Sequence, residues 1–363
     1  MEIINVNLGE NSYQIYIDYH HLPQLGILMR ELKLGEKVAV VTDSRVGSLY
    51  AEKVMAVLRE NGYRPFLITI PEGEEYKSRS SAADIYEKLI RQKMERRSPI
   101  LALGGGVIGD LTGFVAATFL RGVPFLQIPT TLMAQVDSSV GGKVAVNHPR
   151  GKNLIGCFYQ PRLVFMELDF LSTLASQEFA SGLAEVVKCG LIADRSFFEY
   201  LERNRLSVRH REPAAIRQVV KRCCEIKSKI VEKDEKEEIG LRTILNYGHT
   251  LGHALETVTS YRTYLHGESV ALGIVFASRL SLRLGLLNEK EQERVISLLQ
   301  DFVLPVQLPK IEVDSLLKAM EYDKKVVSGK IQFVLTKGIG HAIISTEISL
   351  DLIRELLSDI KRS

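Results

Sequence analysis

Three histidines fall within 18 residues in the second half of the chain: His249 and His253 in "NYGHTLGHALE" (246–256), and His266 in "YLHGESVALG" (264–273). Imidazole nitrogen is a good ligand for zinc, and a carboxylate can complete such a set while one coordination position stays open for chemistry. Glu185 offers that carboxylate. It lies in "GLAEVVKCG" (182–190), three residues before Lys188 in an otherwise apolar helical segment, and charges in such company suggest a lined cavity rather than a solvated face. Spacing alone would pair His249 with His253, as in the HExxH metal motif, yet residue 250 is Thr where that motif carries its glutamate. Arg242 and Asn246 precede the histidines at matching intervals, so 242, 246, 249 and 253 are expected to form one stripe along a helix. One histidine is usually a satisfied core residue; three beside an arginine and an asparagine are not accounted for in that way.

A second set of residues suits anions. In "ALGGGVIGD" (102–110), Gly104, Gly106 and Gly109 satisfy GxGxxG after an apolar run, where bare amides and a helix N-terminus can cradle a pyrophosphate. The dinucleotide fingerprint expects an acid about 20 positions further on, but the next one after Asp110 is Asp137. The loop therefore reads as a variant nucleotide site, with a packing turn as the competing explanation. Asp43, closing "KVAVVTD" (37–43), is placed to hold an adenosine ribose hydroxyl. In "IPTTLMAQVDSSVGGKVAVNHPRGKNLIGCF" (128–158), Asp137, Lys143, Lys152 and Asn153 stand among glycines and small residues. That segment reads as an irregular loop aiming polar groups, with Lys143 after two glycines able to approach an anion closely.

The elements that must position these groups differ between the two halves. Short β-branched runs, "KVAVVTDS" (37–44), "RPFLITI" (64–70), "PILALGGG" (99–106) and "VPFLQIPTT" (123–131), alternate with helical stretches and imply an α/β domain with a mostly parallel, Rossmann-like sheet. The opening "MEIINVNLGENSYQIYID" alternates like a strand pair. Beyond "LVFMELDFLSTL" (163–174) the period is helical, with only "KIQFVLTKG" (330–338) and "HAIIST" (341–346) extended. The expected division is a nucleotide-binding α/β domain over 1–168 and a mainly α-helical metal- and substrate-binding domain over 169–363. With 47 basic against 44 acidic residues the net charge is +3, too even for a general nucleic-acid or membrane binder, so functional positive charge must be concentrated in a pocket. The longest apolar stretches fall short of the ~20 residues a spanning helix needs, and a cytoplasmic protein is expected. Cys157, Cys189, Cys223 and Cys224 lack CxxC spacing and are expected to be buried free thiols.

Four stretches together, 104–161, "GLAEVVK" (182–188), "LRTILNYGHTLGHALE" (241–256) and "LHGESVALG" (265–273), resemble the 3-dehydroquinate synthase family. Similarity runs from about Asp43 to "DKKVVSGKIQFVL" (323–335). The resemblance implies an NAD-dependent homodimer carrying Zn2+, with Co2+ as a second candidate metal. Its implied reaction turns 3-deoxy-D-arabino-heptulosonate 7-phosphate into 3-dehydroquinate and phosphate, in the shikimate route to aromatic amino acids. It further implies that Glu185, His249 and His266 hold the metal while His253 works on substrate, giving the two histidines of the opening stretch separate tasks. Asp43, Glu74, Lys77, Gly104, Gly105, Gly106, Asp110, Thr130, Thr131, Lys143 and Lys152 match cofactor contacts, with Asp137 and Lys143 near the nicotinamide. Lys143, Asn153, Arg242 and His253 match the phosphate side of the substrate site. Lys188, Lys227, Asn246 and one of Lys324 or Lys325 match groups binding substrate hydroxyls and carboxylate. Arg121, in "FLRGVPF" (119–125), matches an arginine that reaches in from the partner subunit, with capping of its own helix as the plainer role.

Three other activities share parts of this residue set. A metal-dependent polyol dehydrogenase would share the two-domain plan but has no need of several lysines and arginines around an anion. Another sugar phosphate cyclase is nearer, although Asn246, His253 and the "DKK" lysines favour the dehydroquinate enzyme. A regulatory NAD-binding module would have no use for metal ligands and acid–base groups.

Overall fold

The computed structural model describes residues 1–308, 310–321, 326–327 and 330–362, with side chains described except at 326, 327, 330 and 359–362. Two compact units emerge: Met1–Leu174 with Lys227–Lys236, and Ala175–Ile226 with Glu237–Ser363.

The first unit contains strands β1 (Glu2–Val6), β2 (Tyr13–Asp18), β3 (Lys37–Asp43), β4 (Arg64–Ile70), β5 (Ile100–Gly104), β6 (Phe125–Pro129), β7 (Lys143–His148), β8 (Gly151–Phe158) and β9 (Leu163–Glu167). Seven of them form one sheet in the order β1, β2, β9, β6, β5, β3, β4. β1 pairs antiparallel with β2, as the alternating opening segment suggests, and every other pairing is parallel. The apolar runs of β3, β5, β6 and β9 owe their composition to burial on both faces, whereas β4 is a half-exposed edge strand. Along β3, Val38 and Val40 join Leu101, Leu126 and Phe165 in one core, while Ala39 and Val41 join Ile100, Ala102 and Phe125 in another. Helices Leu25–Glu31 and Glu52–Glu60 cover the first face, and Arg79–Arg91 and Gly106–Thr118 cover the second.

The stretch from 143 to 158 departs from the expected irregular loop. It is the antiparallel hairpin β7–β8, with Val144 opposite Cys157 and Val146 opposite Ile155. Gly141 and Gly142, at φ 101° and 67°, turn the chain into it, and the buried Val144 and Val146 anchor it to the core. Cys189, Cys223 and Cys224 are buried and outside any disulfide as expected, but Cys157 is exposed because the hairpin's outer strand faces solvent.

The second unit is built mainly of helices, as the period predicts. Helices His249–Val258 and His266–Arg283 share a core with Val313–Glu321, strand Phe333–Thr336 and Leu350–Arg362, through Leu255, Phe276, Met320, Leu335 and Leu357. The two segments expected to be extended form an antiparallel pair, Phe333–Thr336 with Ala342–Ser345. Among the described residues no helix is long and apolar enough to cross a membrane.

Candidate active site

In the second unit three helices each bring one ligand-type side chain to a common point. Glu185 sits midway along Ser176–Ala193, and His249 and His266 are the first residues of His249–Val258 and His266–Arg283. Glycine makes the approach possible. Gly248 turns the chain at φ 80° just before His249, and a Cβ there would lie 2.9 Å from both Ile274 N and the Val270 carbonyl. A Cβ on Gly273 would lie 1.7 Å from the Gly248 carbonyl, and one on Gly267 would lie 1.9 Å from the Ser181 carbonyl. Contacts that short leave no room for any side chain, so the three ligand-bearing helices touch backbone to backbone.

The resulting group is compact. Glu185 Oε1 lies 3.6 Å from His249 Nε2 and 3.9 Å from His266 Nε2, and the three donor atoms fall within 4.8 Å of one another. These separations are too long for hydrogen bonds but close to the roughly 3.3 Å between ligands that each stand ~2.0–2.2 Å from a tetrahedral ion. Glu185 is 1% exposed, and neither of its oxygens accepts a directional hydrogen bond among the described residues. Its ion-pair partner is Lys188, equally buried one turn later. A buried carboxylate so placed, facing two imidazoles, suits a divalent cation. His253 stands beside the group with its ring 5.3 Å from that of His249 and 6.1 Å from that of His266. A second set of possible donors, His253, Glu256 and His266, overlaps the first.

Arg242 and Asn246 reach this region differently from the expected stripe. Leu241–Asn246 is a 3-10 turn, and the α-helix begins only at His249. Gly248 in the left-handed region breaks the 242–253 periodicity, since close packing against Val270 and Ile274 requires it. Arg242 is nonetheless 1% exposed, and Asn246 is half-buried.

In the first unit, β5 ends at Gly104 and helix Gly106–Thr118 begins at once, with Gly105 at its N-cap and no side chain capping it. The first-turn amides are thus left for a ligand. Nearby, Thr130 donates its N–H to the Gly104 carbonyl at 3.0 Å, while its buried hydroxyl has no hydrogen-bond partner among the described residues. Thr131 Oγ1 accepts from Ala134 N at 3.1 Å. Lys77 Nζ, almost fully buried, lies 2.5 Å from both Asp110 Oδ2 and Asn153 Oδ1. Burial pushes the Asp110 carboxyl up from its usual range, and the Lys77 ammonium opposes that shift. Glu74 Oε1 accepts from Asn147 Nδ2 at 2.7 Å, and Asn147 Oδ1 accepts from Asn153 N at 3.0 Å. One polar chain therefore links Glu74, Lys77, Asp110 and Asn153. Lys152 adjoins Asn153 on β8, and Lys143 opens β7. Asp43 Oδ1 accepts from the N–H groups of Arg45 and Val46 at 2.9 and 2.8 Å, capping the turn after β3.

Lys227 Nζ bonds Asp137 Oδ1 at 2.6 Å and the Asp137 carbonyl at 2.7 Å. Arg121 is exposed in the turn Phe119–Arg121 at φ 66°. Lys324 and Lys325 lie outside the described residues. Sequence reasoning passed over Asn147 and Glu256. The first sits six residues before Asn153 in the same polar segment, and the second lies three after His253 and seven after His249, hence on their face of the helix.

Known proteins resemble this chain in both sequence and fold. The family description 3-dehydroquinate synthase N-terminal matches residues 67–181, and 3-dehydroquinate synthase C-terminal matches 182–326. A 3-dehydroquinate synthase from Pelobacter propionicus is 52% identical over 344 residues, 95% of this chain and 96% of its own. Among solved structures, 2-epi-5-epi-valiolone synthase from Streptomyces hygroscopicus, with NAD+ and Zn2+ bound, is 28% identical with a TM-score of 0.90 over 98% of each chain. A 2-deoxy-scyllo-inosose synthase complexed with carbaglucose-6-phosphate, NAD+ and Co2+ is 25% identical with a TM-score of 0.89 over 100% of each chain. The chain belongs to the 3-dehydroquinate synthase family.

Proposed function

We propose that this chain converts 3-deoxy-D-arabino-heptulosonate 7-phosphate to 3-dehydroquinate and phosphate as an NAD- and zinc-dependent carbon–oxygen lyase, working as a homodimer in the cytoplasm. The observation that carries the reading is the convergence of Glu185, His249 and His266 in a chain of this family. NAD+ bound with Zn2+ or Co2+ in two related cyclases supports the same pair of cofactors here. When bound, NAD+ would take a hydride from a substrate carbinol and return it, while the metal polarises the carbinol oxygen.

The chain's own residues divide the remaining work. The amides after Gly104, with Asp43, Glu74, Lys77, Asp110, Thr130, Thr131 and Lys152, hold the dinucleotide, and the unpartnered Thr130 hydroxyl beside Gly104 suits such a ligand. Asp137 and Lys143 serve the nicotinamide side. Lys143, Asn153, Arg242 and His253 receive phosphate; the fixed guanidinium fork of Arg242 matches its oxygens, and cationic donors stabilise the charge as it leaves. Lys188, Lys227 and Asn246 bind the substrate's carboxylate and hydroxyls. His253 remains on the ligand-bearing helix to exchange protons with substrate, and the exposed Arg121 would serve the site of a partner subunit. Intramolecular aldol closure then needs only a held, ring-opened substrate.

An assay with the heptulosonate phosphate, Zn2+ and NAD+ far below substrate concentration tests this reading. Inorganic phosphate and a carbocyclic product should accumulate in equal amounts with no matching rise in NADH absorbance. Stoichiometric NADH release would return the chain to dehydrogenase chemistry.

A further inference from the structure

We propose that Glu256 is a positioning residue of the metal centre, accepting a hydrogen bond from His266 Nδ1 and so presenting Nε2 to the ion. This inference rests on the reading of Glu185, His249 and His266 as metal ligands.

A metal-bound imidazole has two nitrogens and binds well only when the second one is engaged, because that bond fixes both tautomer and ring orientation. His249 meets the requirement through backbone: its Nδ1 lies 3.1 Å from the Tyr247 carbonyl, leaving Nε2 toward Glu185. His266 meets it through a side chain. Its own side chain is 36% exposed, by far the least confined of the three ligands. Glu256 Oε1 lies 3.2 Å from its Nδ1.

Glu256 is itself 4% exposed, and a carboxylate is buried at that cost only where it is answered. It projects from the His249 helix seven residues on, so the same two turns of helix carry one ligand and the group that orients another. An imidazole whose Nδ1–H is donated to a carboxylate is also a stronger donor at Nε2 than one donated to a neutral carbonyl. The geometry thus pairs the most exposed ligand with a carboxylate at its second nitrogen.

Glu256 could instead bind a metal directly, with His253 and His266. The contrast with Glu185 decides against this. Glu185 Oε1 faces the Nε2 atoms of both His249 and His266 at 3.6 and 3.9 Å, beyond hydrogen-bond reach, whereas Glu256 Oε1 meets His266 Nδ1 at hydrogen-bond distance.

The test measures zinc affinity by competition with a chromophoric chelator, and the visible spectrum of the Co2+-loaded protein, for wild type, Glu256→Gln, Glu256→Asp, Glu256→Ala and His266→Ala. Glutamine keeps an acceptor oxygen in place and should lose less than about tenfold; aspartate withdraws it and alanine removes it, and both should lose about 10–100-fold. The Co2+ bands of the three Glu256 variants should keep the wild-type coordination pattern, and those of His266→Ala should not. Thermal unfolding of each metal-free variant separates loss of fold from loss of metal. If alanine does not fold, the glutamine–aspartate contrast decides. Equal zinc affinity across the Glu256 series overturns the inference, as does a Glu256→Ala spectrum matching that of His266→Ala. Failure of wild type to bind zinc, or unchanged affinity in a Glu185→Gln control, would instead remove the metal reading beneath it.

Discussion

Replacing Gly267 by alanine asks whether the ligand set is held by the closeness of two helices. A Cβ at this position would lie 1.9 Å from the Ser181 carbonyl oxygen and 2.7 Å from Ser181 Oγ, which also accepts the Gly267 N–H at 3.0 Å. Ordinary contact begins at 3.4 Å, so the carbonyl must retreat by about 1.5 Å, and as helix backbone it cannot move without its neighbours. Ser181 stands one turn before Glu185, and Gly267 follows His266 directly. The shift therefore falls on the 3.9 Å separation of Glu185 Oε1 from His266 Nε2, whereas metal–ligand bonds tolerate only about 0.2 Å. Zinc affinity should fall by more than about 100-fold, beyond the effect of losing an outer partner. Overpacking should cost the metal-free protein about 1–3 kcal/mol. Chelator competition measures the first and urea unfolding in EDTA the second. Gly285→Ala is the control: at φ +69° with nothing within 4 Å of its Cβ, it should cost roughly 1–2 kcal/mol and leave zinc affinity alone. Gly267→Ala binding zinc within threefold of wild type would refute the argument.

Arg242→Lys should weaken binding of a phosphonate substrate analogue at least about tenfold by calorimetry, because an ammonium cannot reproduce the guanidinium fork; unchanged affinity would move the phosphate elsewhere. Asp194 tests acid stability. Burial works to raise its carboxyl, but the Ser196 hydroxyl, the Phe197 N–H and Arg222 prevail and hold it below the usual carboxylate range. Its folded pKa thus lies below its unfolded one, so its stabilisation is present above the unfolded value and is lost as pH falls through the folded value. Asp194→Asn should cost about 1–2 kcal/mol at pH 7 in urea unfolding, with the gap to wild type closing below pH ~4; a gap constant down to pH 3 would refute the assignment. Mixing inactive Arg121→Ala and His253→Ala subunits should regain one working site per heterodimer, and no recovery in verified heterodimers would argue against a shared site.

Local composition revealed the sheet, because runs such as "KVAVV" buried on both faces have little other use, and it revealed the burial of Glu185 and Lys188 through their apolar neighbours. The candidate metal set was less accessible. Linear spacing favours His249 with His253, whereas the structure gathers His249, His266 and Glu185 because two helices begin at the histidines and meet at Gly248 and Gly273, and the Glu185 helix packs on Gly267. The resemblance named that set, but the glycines at 248, 267 and 273 explain it, and their role depends on partners 20 to 90 residues away. Gly248 also broke the 242–253 stripe, a left-handed turn that helical periodicity ignores. The β7–β8 hairpin was hidden by its own glycines and polar residues, although "KVAV" carries the β-branched signal. Asn147 and Glu256 were missed since a polar side chain gives no local sign of which distant group it will meet.

The exposure of Cys157 turns the arrangement of thiols into a practical handle. Its three fellow cysteines are buried, and burial holds the Cys223 thiol well above its ordinary pKa, so a maleimide should find one reactive sulfur on the native protein. Partial desolvation also raises Cys157, which makes coupling slow near neutrality and faster in mild alkali. A fluorophore or spin label attached there would sit on β8, the strand that carries Lys152 and Asn153, and would report on that hairpin as dinucleotide is titrated in, with no cysteine-free background to engineer first.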